Sequence, residues 1–285
     1  MQFGVFSYVP DARDAAEAGA MIRAWGFDVV KIHRTRPDDC LATPLTAQRS
    51  RAIRRAYESH GVQVVAFAAY RDIATPDAER RAEARNQMIE WIRWAPELGA
   101  PLVCTEATVE SGHLPPVTSQ PHRSQPQTGE EPFRILIDEV GNLERYAREA
   151  GVAIALEPST STPLGTTERA LTLLRGLNSP HIKLIFDPAN VMTEEALPRQ
   201  REHYAALLDV LAPYIALAHA KDFAVTDAGR YTPAAGRGLL DWTTIFAELR
   251  RVGYGGPVVL EHLTADQVPT VHAYLSNALE QASRL

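Results

Sequence analysis

The 285-residue chain reads as an α/β protein of the (β/α)8 barrel class. Three observations carry that reading. Short apolar runs alternate with longer helical patterns. The alternation counts eight units. No glycine-rich nucleotide loop follows the first run. Strict alternation implies a parallel sheet with crossover helices. An open doubly wound sheet is the competing architecture, but eight units suit closure into a barrel, for which about 250 residues are typical.

The strand candidates come in order at residues 2–8, 27–33, 62–69, 101–106, 152–157, 182–187, 214–220 and 257–262. Most are nearly continuous in apolar residues, as strands buried on both faces of a parallel sheet are. Helical patterns fill the gaps. The first runs from Asp11 to Trp25 and stops at Gly26. The next run from Thr46 to His60, Asp77 to Leu98 and Pro132 to Ala150, stopping at Gly61, Gly99 and Gly151. Glycine just past a helix end is a common stop. Pro96 falls in the last turn of the third helix and is expected to fray it. Further helices are expected near 166–177, 199–211, 242–252 and 267–283.

One segment breaks the rhythm. Residues 107–131 contain four prolines and no periodicity. The segment follows strand four, on the face where barrel active sites form, and loops this long are commonly functional. It reads as a partly mobile lid. The whole of 1–285 reads as one domain.

Composition narrows the function classes. A net charge of −6 and a pI near 5.9 argue against nucleic acid as the main partner, since phosphate backbones require clustered positive charge. No apolar stretch reaches the ~20 residues of a membrane span. Cys40 and Cys104 have no metal-type spacing and form no disulfide framework. The expectation is a cytoplasmic protein with reduced thiols.

In such a barrel the ends of the strands point into the active-site mouth. Strand five ends in Glu157, strand six in Asp187, strand seven carries His219 and strand eight ends in Glu261. Three carboxylates converging on one mouth repel each other and lose hydration. A single divalent cation resolves both costs. Oxygen ligands with one imidazole suit Mn, Mg, Co or Zn, and no cysteine-rich zinc pattern is present. Taken singly, each of these residues has an ordinary structural reading as a salt-bridge or hydrogen-bond partner. Four together, each closing an apolar run, favour the metal.

Candidates for substrate contact are His33, Glu106, Asn190, Lys221 and Arg237, with Arg34, Tyr70, Arg71 and Asp222 nearby at strand ends. Strand alternation points His262 away from Glu261, which suits a structural role.

The segments Ala155-Leu156-Glu157, Phe186-Asp187-Pro188-Ala189-Asn190, His219-Ala220-Lys221-Asp222 and Gly236-Arg237-Gly238-Leu239-Leu240-Asp241-Trp242 carry a family resemblance. So does the run from Gly253 to His262. Together they resemble the sugar-phosphate isomerase/epimerase family of xylose-isomerase-like TIM barrels, most specifically over 151–263. The resemblance implies that Glu157, Asp187, His219 and Glu261 bind the metal. It also implies that Glu157 and Glu261 act on opposite faces of a ketose, one removing a proton alpha to the carbonyl and the other returning one. Metal polarisation of the carbonyl makes that proton removable. A homodimer is implied by resemblance alone. Several relatives carry histidine where Asn190 stands, and that departure argues against further metal ions.

Other readings start from the same residues. A dehydratase of a keto-inositol would begin with the same proton abstraction and then expel a β-hydroxyl. A barrel subunit dependent on a partner is a further alternative. A DNA-repair nuclease on this barrel uses three zinc ions and many histidines. This chain lacks the strand-six histidine and an Asp-x-His pair after strand seven, and its charge does not suit DNA. No dense Arg/Lys clamp for a phosphate is visible, so the expected substrate is a small sugar-like molecule whose phosphorylation stays open.

Overall fold

The computed structural model describes residues 1–33, 45–106, 128–227 and 229–285. Eight parallel strands close into a barrel. They are β1 (Gln2–Phe6), β2 (Val29–His33), β3 (Gln63–Ala68), β4 (Leu102–Glu106), β5 (Ala153–Glu157), β6 (Ile182–Phe186), β7 (Ile215–Ala220) and, after a small two-stranded ribbon, β10 (Pro257–Leu260). The ribbon is β8 (Ala224–Thr226) with β9 (Gly229–Tyr231), paired antiparallel. Neighbours in the barrel follow chain order, and β1 closes the ring against β10, with Gln2 beside Pro257 and Val5 beside Leu260.

Helices wrap the outside: α1 (Ala15–Ala24), α2 (Ala47–Glu58), α3 (Ala78–Leu98), α4 (Glu130–Ala150), α5 (Thr167–Leu177), α7 (Gln200–Leu211), α8 (Trp242–Arg251) and α9 (Val268–Ala282), with a single turn α6 (Pro188–Val191) directly after β6. Their starts are set chemically. Asp14, Thr46, Asp77, Thr166 and Asp241 each accept backbone N–H bonds from the first turn, satisfying donors that a helix end leaves orphaned.

Three sequence expectations are corrected. Pro96 does not fray α3: the helix continues to Leu98, and Gly99, at φ 74°, donates its N–H back to the carbonyls of Ala95 and Pro96. A proline in the last turn keeps its own carbonyl, and the glycine supplies the left-handed cap that uses it. Helix α4 begins at Glu130, two residues before Pro132, because Pro132 tolerates the first turn, where its missing N–H costs nothing. Residue 262 leaves the strand pattern altogether, as described below. Arg34, Cys40 and most of the expected lid, residues 107–127, lie outside the described residues.

The core has two layers. Outward-facing strand residues such as Val30, Ile32, Ile154 and Val258 are fully buried under the helices. Inside the barrel, the residues at the carboxyl ends of the strands are polar. Lys31, Glu157, Asp187, His219 and Lys221 are all buried.

Candidate metal centre

Each ligand candidate is delivered by a strand end. Glu157 is the last residue of β5, and Asp187 immediately follows β6 and caps α6, accepting the N–H groups of Ala189 and Asn190. His219 stands near the end of β7, and Glu261 follows β10. One side-chain atom from each of Glu157, Asp187, His219 and Glu261 lies within 4.8 Å of all the others, and all four residues are buried.

The geometry inside this cluster suits an ion better than hydrogen bonding. His219 Nδ1 lies 3.2 Å from Glu157 Oε1, 3.3 Å from Asp187 Oδ2 and 3.3 Å from Glu261 Oε1. A single proton on Nδ1 cannot serve three acceptors. Neighbouring donors on one octahedral ion with bonds of about 2.1–2.3 Å stand roughly 3 Å apart, which matches these separations. Asp187 Oδ2 and Glu261 Oε1 are buried and make no hydrogen bond, although Lys221 Nζ approaches to 2.8 and 2.6 Å. Two buried carboxylate oxygens that share one ammonium keep lone pairs that a cation would take.

The charges are coupled. Burial works against ionising Glu157, but His219 and Lys221 outweigh it and hold the carboxyl down at about 2. Burial likewise opposes the charge on Glu261, and the same two partners hold it well below the usual range. Burial opposes the charge on Lys221, but Asp187, Glu261 and Glu157 push its pKa well up. At His219 burial is again the largest opposing effect, and Glu261 and Glu157 still raise the ring well above an ordinary histidine. Glu106 stands beside Glu157 across the β4–β5 pair. Desolvation and the Glu157 charge push it up to about 8. Glu157, Asp187 and Glu261 thus share the Lys221 ammonium and the His219 ring, and Glu106 adjoins them.

Further hydrogen bonds fix Glu157. Asn190 Nδ2 donates to Oε1 at 2.7 Å, and the Tyr70 hydroxyl donates to Oε2 at 3.2 Å. On the opposite wall Phe6, Tyr8, His33 and Tyr70 form an aromatic cluster, with His33 5.5–5.8 Å from the other three ring centres. Phe6 also meets the His219 ring at 5.5 Å.

The residues expected to contact substrate fall into different places. Asn190 and Lys221 are spent on carboxylates of the cluster. Glu106 adjoins it, and His33 sits in the aromatic wall. Arg237 lies on an exposed turn. Asp222 builds that turn, accepting the N–H groups of Phe223, Gly236 and Leu240. A side chain at Gly238 would collide with the Asp222 carboxylate. His262 departs from strand alternation. At φ 56° it occupies the left-handed region, rare for a non-glycine residue. Its N–H donates to the Tyr8 hydroxyl, and its Nδ1 lies 2.9 Å from both Oγ1 and the carbonyl of Thr232.

Two residues were missed in the sequence. Lys31 is a lone charge inside an apolar strand, and its Nζ lies 2.8 Å from His219 Nε2. Arg230, on β9, spans three loops through Thr160 Oγ1 and the carbonyls of Ala189 and Met192. A charged residue at an inward strand position was the available signal for Lys31. Nothing local marks Arg230.

Comparison with known proteins agrees with this architecture. A ketose 3-epimerase from Arthrobacter globiformis is 28% identical over 132 residues, a stretch covering 45% of this chain and 41% of that protein. The matched stretch is therefore less than half of that relative's length. The crystal structure of a 3-keto-D-glucoside 4-epimerase from E. coli superposes with a TM-score of 0.74 at 22% identity, covering 97% of this chain and 99% of that one. A barrel protein from Mycobacterium smegmatis in complex with magnesium superposes at 0.68 with 20% identity, covering 97% and 91%. The family pattern described as xylose isomerase-like TIM barrel matches residues 20–281. The chain belongs to the xylose isomerase-like TIM barrel family.

Proposed function

We propose that this chain is a divalent-metal-dependent isomerase or epimerase of a sugar or related polyhydroxy carbonyl compound, working by proton abstraction alpha to the carbonyl. The observation that carries the reading is the buried cluster of Glu157, Asp187, His219 and Glu261 at the strand ends. The similarity to sugar epimerases supports the substrate class. An ion bound there supplies Lewis-acid polarisation of a carbonyl oxygen.

The chain's own residues do the rest. Glu157 and Glu261 are the two carboxylates that take and return the proton. Asn190 and Tyr70 hold both oxygens of Glu157 in place, so its orientation is set before substrate arrives. Lys221 neutralises Asp187 and Glu261. Glu106 and His33 stand at the mouth to meet substrate hydroxyls. Arg237 would reach an anionic group only from the exposed turn. The reading takes 1–285 as one domain handling a small sugar-like substrate, with the metal one of Mn, Mg, Co or Zn.

Metal analysis of the purified protein, joined to a deuterium-exchange screen of ketoses, keto-inositols and their phosphates, tests it. About one ion per chain with solvent deuterium entering at an alpha carbon supports the reading. Loss of water from a keto-inositol instead would make the chain a dehydratase. Absence of metal binding after addition of Mn, Co and Zn would refute it.

A further inference from the structure

Among the described residues, two that are not glycine have a positive φ. Asn178 caps α5, where a left-handed residue is a usual helix stop. His262, at φ 56°, caps nothing and comes directly after Glu261. Conformations of this kind persist only where the surroundings impose them, and they gather at functional sites.

The surroundings that impose it belong to both neighbours of β10 in the ring, β1 and β7. On the β1 side the Tyr8 hydroxyl accepts the His262 N–H at 3.2 Å. On the β7 side the imidazole Nδ1 lies 2.9 Å from both Oγ1 and the carbonyl of Thr232. A carbonyl only accepts, so Nδ1 carries a proton there, as it can in a neutral or a charged ring. Thr232 is tied in turn to the end of β7. The next carbonyl, of Pro233, accepts the Asp222 N–H at 2.7 Å, and Ala234 pairs with Lys221. Glu261 itself stays on the ladder, its N–H bonded to the Ala220 carbonyl at 3.2 Å. The His262 N–H goes to a side chain instead, so these two straps, and not the sheet, fix the peptide that follows Glu261.

We propose that His262 is a positioning residue: strapped to Tyr8 and Thr232, its left-handed turn aims the Glu261 carboxylate into the cluster before an ion arrives. The inference rests on the reading of Glu261 as a metal ligand. A carboxylate fixed in advance leaves the ion less to organise, so the straps raise affinity and hold the coordination geometry.

Co2+ tests this, because its visible absorption reports the arrangement of its ligands. Metal-free wild type and variants are titrated with Co2+ and followed by calorimetry and by absorption. His262→Ala removes the ring strap and disfavours the turn. It is expected to bind about tenfold more weakly, within the range outer partners of metal ligands command, and to give a changed Co2+ spectrum. His262→Asn, whose short amide tolerates the left-handed region, is expected to recover most of the affinity. Recovery no better than His262→Ala would overturn the role of the turn. A residue that only packs would lower the melting temperature and leave the Co2+ spectrum alone. An unchanged spectrum in folded His262→Ala therefore overturns the inference. If His262→Ala does not fold, Tyr8→Phe, which keeps the ring and removes the acceptor, is judged by the same criterion. Glu261→Ala is titrated alongside. If it binds as wild type does, the ligand reading itself fails. If it loses binding while His262→Ala is unchanged, only the role of His262 falls.

Discussion

Asn190 Nδ2 donates a 2.7 Å hydrogen bond to Glu157 Oε1. The two residues come from successive strand ends, and α6 sets the distance between them. Asp187 caps that turn and in doing so aims the Asn190 side chain back across the mouth. The amide acts on a carboxylate of the cluster, a task that follows from its two donors.

Removing that donor should change the chemical step more than metal binding. Asn190→Ala is expected to lower kcat about tenfold, the worth of one hydrogen bond to a charged group, with KM and metal content nearly unchanged. Steady-state kinetics with metal analysis checks this. A rise in KM alone would place Asn190 on the substrate instead.

Glu157→Gln keeps the size of the side chain and removes its basicity. It should retain the fold and much of the metal, and lose deuterium exchange by roughly 100-fold or more. Normal exchange by the variant would remove Glu157 from the proton transfer.

Glu106 gives a pH signature in the metal-free protein. Its folded pKa, pushed up to about 8, exceeds its ordinary value of 4.5. Between those values the folded state holds a proton that the unfolded state has lost, so this group makes stability fall as pH rises from 4.5 to 8. Glu106→Gln should abolish that fall and melt higher than wild type by an amount that grows over this window, to roughly 4 kcal/mol at pH 8. Parallel pH–melting curves would refute the assignment.

Gly238 lies where a Cβ would strike Asp222 and the Phe223 carbonyl. Gly238→Ala should destabilise the protein by ~1–3 kcal/mol, the usual cost of overpacking. Chemical denaturation checks this. A fully stable variant would mean that the turn holding Arg237 is free to shift.

Much of this was legible in the sequence because barrel strands are short, apolar and end at the active face. Glu157, Asp187 and Glu261 close such runs, and their meeting follows from the topology. Less was legible where contacts are long-range. Lys31 and His219 are 188 residues apart in the chain, and no local pattern pairs them. The β8–β9 ribbon was missed because three-residue strands carry too little periodicity to detect. Alternation expected His262 on the strand, but β10 ends at Leu260 and the chain turns left-handed at His262. That turn is fixed by Tyr8, more than 250 residues earlier.

The closure of β1 on β10 also governs when this protein can exist. During synthesis Gln2 is made some 250 residues before its neighbour Pro257. The first strand must wait with one edge unpaired, and Glu261 arrives later still. On the proposed reading, capture of an ion by all four residues waits until Glu261 has been made. A nascent barrel depends on chaperones, or on speed, to protect that waiting edge.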